Sequence, residues 1–158
     1  MPHRNNDLDI VTYALRAYGI AEPTQCEPVL HGSVSSCYKI TSSKRQYVLR
    51  IRGGNARLEE IHLDHIYLRH LLDNRFPVPE VVSSANGNTT ISYEDRIVEL
   101  QSFIDHDKTV YDYAICDVSS KLAAFLGQYH KVSQRFDRFI AKSGYFTMDN
   151  GIQVATGL

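Results

Sequence analysis

The sequence contains little cysteine, and its cysteines are not spaced for cross-linking or metal binding. There are three, Cys26, Cys37 and Cys116, with no C-x-x-C pair among them. An odd number of widely separated cysteines is typical of reduced thiols rather than of a disulfide framework. The spacing of Cys26 and Cys37 also fits no common zinc pattern. We therefore expect buried free thiols in a cytoplasmic protein.

The chain also lacks a surplus of positive charge and a long apolar run. Its 17 Lys and Arg residues face 18 Asp and Glu residues, which gives a formal net charge of −1. Proteins that bind nucleic acid or an acidic membrane usually carry a basic surplus. No apolar stretch approaches transmembrane length, and the polar N-terminus does not have the pattern of a signal peptide. We expect neither a nucleic-acid partner nor a membrane span.

What is present suffices for one folded unit with its own core. The chain has 158 residues, of which 43% are hydrophobic and 22% charged, which are ordinary globular values. Periodicity and turn signals predict the secondary structure. The predicted elements are helices over 7–18, 57–72 and 110–131, an edge strand ending at Leu30, a hairpin of strands 37–42 and 46–52, and a second hairpin of strands 90–94 and 96–104.

This order of elements predicts an α+β fold. Tight turns join most of the strands, so the sheet should be largely antiparallel, with about five strands. The helix over 57–72 is inserted in mid-sheet and should pack on one face, and Asn86-Gly87 favours a tight turn in the second hairpin. Gly19 follows the first helix at the position where a left-handed residue commonly ends a helix.

A permanent positive charge lies inside a strand that otherwise looks buried. Arg50 is in the middle of "QYVLRIRG" and points to the same side as Val48. An unpaired buried charge is costly, so Arg50 needs an acidic partner. Asp64, on the apolar side of the following helix, is the predicted partner, and Glu60 is the second choice. A purely structural ion pair remains an alternative to a binding role.

The segment before this strand is a turn of small residues. "HGSVSS", at 31–36, could bring backbone N–H groups up to a phosphate, although alone it is better explained as a plain hairpin turn. The turn is followed by the strand with its cation, the helix with its acid, a second hairpin and "VELQSFI". This is the order of parts in the nucleotide-binding lobe of a kinase-like fold.

In these parts the chain resembles the N-terminal lobe of the aminoglycoside phosphotransferase and choline kinase family, which includes type II homoserine kinases. The matching stretches are "ALRAYGI", "VLHGSVSSCYKI", "QYVLRIRG", "LDHIYLRHLLDNRFPVPEVV", "VELQSFIDH" and "LAAFLGQYH". They run in the family's order from about residue 8 to 131. The resemblance implies a nucleotide-binding N-lobe at 1–105, and at 106–158 the hinge exit and the truncated start of a second lobe.

The resemblance also implies which residues bind the phosphates of Mg-ATP. Gly32, Ser33 and Ser35 would lie in the loop that covers the phosphates, although Ser35 stands where the family often has Asn. Arg50 takes the place of the phosphate-binding strand lysine. Asp64 takes the place of the helix glutamate that pairs with this cation, as a shorter acid.

The adenine contacts are implied in the same way. Val48 would face adenine from the strand that carries Arg50. The backbone of Ser102 and Ile104, in the segment that matches the hinge, would form hydrogen bonds with adenine.

The pattern that such kinases use for chemistry is missing from the sequence. Their catalytic loop has the form H-x-D-x-x-x-x-N and is followed by a metal-binding Asp. The H-x-D at 62–64 is a coincidence, because Arg69 stands where the loop needs Asn. We predict no catalytic and no metal-binding residue, and no activity from this chain alone.

Three explanations stay open for such a chain. It could be a piece of a small-molecule kinase, a non-catalytic binding or interaction module on the same fold, or one half of a fold that another chain completes. In the last two cases, a second copy or a different chain would cover the exposed face of the lobe. The acceptor substrate cannot be inferred from this sequence.

Overall fold

A computed structural model describes residues 5–20, 23, 25–29, 35–42, 45–53, 55–105 and 116–136 of the chain. These residues form three helices and five strands. In chain order they are α1 (Asn5–Ala17), β1 (Gln25–Val29), β2 (Ser35–Thr41), β3 (Gln46–Arg52), α2 (Leu58–Asp73), β4 (Thr90–Tyr93), β5 (Arg96–Ser102) and α3 (Cys116–Ser133).

The five strands form one antiparallel sheet in the order β1-β2-β3-β5-β4. Strand β5 lies between β3 and β4, so the neighbouring strands β3 and β5 are distant in the chain. Helix α2 is part of the connection between β3 and β5. This arrangement confirms the predicted α+β fold with an inserted helix. The predicted division after residue 105 stays a prediction, because residues 106–115 lie outside the described part of the chain.

The sheet has one apolar face and one polar face. Residues that are paired across neighbouring strands point to the same side of a sheet, and successive residues alternate between sides. The apolar face carries Tyr38, Ile40, Leu49, Ile51, Val98 and Leu100, all of which are buried. The side that we call the polar face carries Ser35, Cys37, Lys39, Val48, Arg50, Arg52, Glu99 and Gln101.

Helix α1 covers the apolar face and supplies half of the main core. Its buried residues recur at helical spacing, and they are Ile10, Val11, Ala14 and Leu15, with Tyr18 just past the helix. The helix ends at Ala17, and Gly19 follows it in the predicted left-handed conformation, with a φ of 67° that is strained for residues other than glycine. There the amide of Ile20 donates to the Leu15 carbonyl at 2.9 Å, and that of Gly19 donates to the Arg16 carbonyl at 3.0 Å.

Helix α2 lies by the polar face and β4, and its C-terminal half packs on α3. Leu71, Phe76 and Val132 form a second, smaller core between these helices. The rings of Phe76 and Phe125 extend this contact, with centroids 4.6 Å apart. Within the described residues, no helix combines the length and the apolar character needed to cross a membrane.

The cysteines partly follow the sequence-based expectation. Cys26 and Cys37 are free thiols, as expected. Cys26, however, lies exposed on β1, all of whose residues are exposed, so its predicted burial is wrong. The side chain of Cys116 lies outside what the structure describes.

Candidate functional site

The polar face carries three of the residues to which the family resemblance assigns nucleotide contacts, namely Ser35, Val48 and Arg50. Val48 and Arg50 lie next to each other on this face of β3, with Gln101 and Glu99 directly opposite them on β5. Val48 is half-buried, and 35% of the Arg50 side chain is exposed. A half-buried apolar side chain and a partly exposed cation therefore lie side by side on this face.

A fully buried carboxylate, that of Glu99, lies at the centre of this face. Its exposed fraction is 0%, and all its hydrogen-bond donors are side chains. The Oε1 atom accepts from Arg52, whose Nε and Nη2 lie at 2.9 and 2.8 Å, and it lies 3.4 Å from Arg50 Nη1. The Oε2 atom lies 2.6 Å from His65 Nε2. The Glu99 side chain, on β5, thus forms contacts with both β3 and α2.

His65, on α2, faces the sheet. It is buried, and its Nδ1 lies 2.9 Å from Thr89 Oγ1, while its Nε2 contacts Glu99. Because the carboxylate can only accept, the Nε2–H of His65 donates to it, and Nδ1 is left to the Thr89 hydroxyl. Nearby, His62 Nε2 lies 3.3 Å from Thr90 Oγ1. Two histidines therefore connect α2 with the start of β4.

The surroundings of Glu99 favour its ionised form. Burial acts to raise the pKa of this carboxyl, because a charge is poorly solvated in the protein interior. The hydrogen bond from His65 and the positive charges of Arg52 and Arg50 outweigh burial and hold the pKa below its ordinary value. Glu99 is therefore a carboxylate at neutral pH.

The acid in contact with Arg50 differs from the one that the sequence predicted. We expected Asp64, but the structure places the Glu99 carboxylate against Arg50. The reason is geometric, because directly opposed residues on paired strands have Cβ atoms only about 5 Å apart. Helix α2, moreover, is turned so that His65 rather than the half-buried Asp64 faces this carboxylate. This corrects the expected Arg50–Asp64 pair.

The loop predicted to cover the phosphates is only partly described. Gly32 and Ser33 lie outside the described residues. Ser35 begins β2 on the polar face, opposite Arg52, and its Oγ lies 3.8 Å from Cys37 Sγ. The phosphate contact of this loop stays a prediction.

The predicted adenine contacts lie at the end of β5. The amide of Ser102 donates to the Glu80 carbonyl at 2.8 Å, and its Oγ accepts from the Glu80 amide at the same distance. The Ser102 amide is thus already in use, and only its carbonyl could serve adenine. Ile104 lies two residues further on and is exposed. Close by, Lys39 Nζ lies 4.1 Å from the centre of the Phe103 ring.

Sequence reasoning did not identify Glu99, Arg52 and His65 as members of the site. A signal for Glu99 was present, since it interrupts an apolar strand in "VELQSF" just as Arg50 interrupts β3. Two charged residues of opposite sign, each in an otherwise apolar strand, predict that the two residues pair across neighbouring strands. His65 had a weaker signal, its position one helical turn after the buried Ile61.

Metal binding has no support in the described ranges. Among those residues, no group of three or more His, Cys, Asp or Glu side chains lies together in a way that could hold a metal ion.

The sequence matches one family of known proteins. The model of the phosphotransferase enzyme family matches residues 25–147, which include all five strands of the sheet. No curated protein sequence matches the chain.

Two solved structures share the fold. The structure of the microcompartment-associated aminopropanol kinase gives a TM-score of 0.68 at 22% identity, covering 89% of this chain and 45% of that one. Spectinomycin phosphotransferase in complex with ADP and spectinomycin gives a TM-score of 0.58 at 16% identity, covering 84% of this chain and 39% of that one. This chain therefore spans less than half the length of either protein.

Proposed function

This chain belongs to the phosphotransferase enzyme family, and from that premise we propose that it is the ATP-binding N-terminal portion of a small-molecule kinase. The ligand would be Mg-ATP, bound on the polar face of the sheet. The ADP complex of spectinomycin phosphotransferase supports a nucleotide ligand for this fold. The free thiols Cys26 and Cys37 support a cytoplasmic location, where thiols stay reduced.

The observation that carries this proposal is the charge balance around Arg50. Two guanidinium groups, those of Arg50 and Arg52, share the single carboxylate of Glu99. Because arginine does not lose its proton in proteins, these three described side chains together carry a net charge of +1. Arg50 is the more exposed of the two arginines, at 35% against 26%. An accessible surplus cation on a strand face is a site for an anion such as phosphate.

Each part of the nucleotide has a proposed partner. Val48 would pack on adenine, and the Arg50 guanidinium would donate to phosphate oxygens. The Ser102 carbonyl and the backbone of Ile104 would bind the polar edge of the base, while the loop with Gly32, Ser33 and Ser35 would cover the phosphates. Asp64 is not given a role here, because Glu99 and His65 occupy the place predicted for it.

Phosphoryl transfer itself is proposed for the intact kinase and not for these 158 residues. Bound Mg-ATP would supply the γ-phosphoryl group, and the acceptor would be a hydroxyl of a small molecule. The sequence contains no H-x-D-x-x-x-x-N pattern to supply the base and the metal ligands. We expect the chain alone to bind nucleotide weakly and to transfer nothing.

A second candidate function, binding to another chain, is favoured by α3. Three of its large apolar side chains, Leu122, Phe125 and Leu126, are 41–46% exposed. They lie on one side of the helix, because they are spaced three and four residues apart. The proposed occupant of this side is the rest of a kinase fold, on the same or on a second polypeptide.

Thermal melting with and without Mg-ATP tests the nucleotide proposal. A ligand present at ten times its Kd stabilises a protein by about 1.4 kcal/mol, which raises the melting temperature of a domain of this size by a few degrees. We expect this rise for the wild type and for Arg16→Ala, a change on the exposed side of α1. Arg50→Ala should reduce it. If the wild type shows no rise in millimolar Mg-ATP, the proposal fails for this chain.

A further inference from the structure

The three donors of Glu99 do not share its carboxylate equally. Arg52 holds Oε1 with two nitrogens at 2.8 and 2.9 Å, whereas Arg50 reaches the same atom with one nitrogen at 3.4 Å. His65 holds Oε2 at 2.6 Å. The acid that lies directly opposite Arg50 in the sheet therefore makes its short contacts with other residues.

This division of contacts matters because Glu99 and a phosphate would compete for the same cation. A buried carboxylate beside an arginine attracts it strongly, because the protein interior screens charge poorly. If Glu99 had Arg50 as its only partner, the two charges would cancel and Arg50 would be drawn into a bidentate pair. The charge available to an anion on this face would then be lost.

We propose that Arg52 and His65 are positioning residues that occupy the Glu99 carboxylate and so leave the Arg50 guanidinium available for a phosphate group. Arg52 cancels the charge of Glu99, and His65 fills its second oxygen. Arg50 stays anchored by one long contact and keeps its positive charge. This inference depends on the proposed function, since it assumes that Arg50 binds the phosphates.

Two simpler roles for Arg52 make different predictions. If Arg52 only stabilises the sheet, its loss lowers stability but does not affect phosphate binding by the molecules that remain folded. If Arg52 binds phosphate itself, its loss weakens phosphate binding whether or not Glu99 is charged. In our proposal the loss weakens phosphate binding only while Glu99 carries its charge.

The test compares the Kd of ATP with that of adenosine, which has no phosphate, for the 158-residue chain and four variants. Arg52→Gln should weaken ATP binding on the order of tenfold, the equivalent of one charge-assisted hydrogen bond, and leave adenosine binding unchanged. Arg52→Gln with Glu99→Gln should restore ATP binding to near the wild-type value, because the competing charge is gone. Arg52→Lys, which keeps the compensating charge, should bind ATP nearly as well as the wild type. Arg50→Ala should lose the preference for ATP.

Each result decides between the proposal and its rivals. ATP binding by Arg52→Gln at the wild-type level would overturn the proposal, and so would a double variant as weak as Arg52→Gln alone. If Arg52→Gln does not fold, a double variant that binds ATP as weakly as Arg50→Ala would still overturn the proposal, because it would show that Arg52 itself binds phosphate. If the wild type prefers ATP and Arg50→Ala does not, the proposed function stands whatever the Arg52 variants do. If the wild type itself has no preference for ATP, both proposals fail.

Discussion

Leu49 and Arg50 are neighbours in the chain and point to opposite faces of β3. Leu49 is completely buried under α1, while Arg50 lies partly exposed on the polar face. One strand thus serves both the core and the proposed nucleotide site, and one step along the chain separates the two roles. Substitutions at the two positions should therefore have opposite consequences.

For Leu49→Ala we expect a loss of about 2–5 kcal/mol in the free energy of unfolding, because the change leaves a cavity in a fully buried site. For Arg50→Ala we expect less than about 1 kcal/mol, because Arg50 is partly exposed and Glu99 keeps two shorter contacts. Urea unfolding followed by circular dichroism measures both values. Equal losses in the free energy of unfolding for the two variants would show that Leu49 and Arg50 have been assigned to the wrong faces of β3.

The pH dependence of stability should report on Glu99. Its pKa is lower in the folded than in the unfolded chain, so its contribution is present above the ordinary value of 4.5 and is lost as the pH falls through the folded-state pKa. Glu99→Gln should therefore flatten the fall in stability below about pH 4.5. Melting temperatures at a series of pH values measure this, with Glu59→Gln, an exposed acid on α2, as the matched control. Parallel curves for the wild type and Glu99→Gln would contradict this prediction.

The hydrogen bond between Tyr38 and Asp7 should stabilise the contact between α1 and the sheet. Both residues are buried, and the Tyr38 hydroxyl donates to Asp7 Oδ2 at 3.1 Å. Burial, together with the charge of Asp7, raises the pKa of Tyr38 to about 12, so the donor keeps its proton at neutral pH. Tyr38→Phe should cost about 1–3 kcal/mol, because the buried Asp7 carboxylate loses a donor.

Urea unfolding measures this cost against Tyr13→Phe, a change on the exposed side of α1. The control should lie within about 0.5 kcal/mol of the wild type. If the two variants are equally stable, the Tyr38–Asp7 bond contributes nothing measurable.

The exposed side of α3 should decide how the chain behaves at high concentration. Without a covering surface, Leu122, Phe125 and Leu126 favour self-association, because contact buries their apolar area. Leu122→Ser together with Leu126→Ser should lower the weight-average mass seen in sedimentation equilibrium. A wild type that stays monomeric at all accessible concentrations would count against α3 as an interface.

Much of the fold could be predicted, because its signals are local. The alternation of residues in "QYVLRIR" predicted β3 and its two faces. The helical spacing of apolar residues predicted α1 and α2 with bounds close to those observed. Gly87, with a φ of 81°, does lie in a turn, but this turn precedes β4. The turn that joins β4 to β5 is instead at Glu94-Asp95, where Glu94 has a φ of 51°, so the predicted hairpin turn was wrong in position. Each of these features depends on residues that are near one another in the chain.

The acid partner of Arg50 could not be predicted in the same way. Glu99 is 49 residues from Arg50, and it lies opposite only because β5, rather than β4, is the neighbour of β3. The choice of His65 over Asp64 depends on the rotation of α2 by one residue, which the apolar pattern of this helix does not fix. The elements were therefore predicted better than the contacts between them.

The proposed role of Arg50 can be observed directly, by whether its side chain responds to the phosphates of a nucleotide. The Nε–H signal of Arg50 in nitrogen-15 NMR, identified by its disappearance in Arg50→Lys, can be followed as Mg-ATP or adenosine is added to the 158-residue chain. We predict that the signal shifts saturably with Mg-ATP and stays in place with adenosine. An Arg50 signal that does not move while Mg-ATP binds elsewhere on the protein would contradict the proposal that Arg50 binds the phosphates.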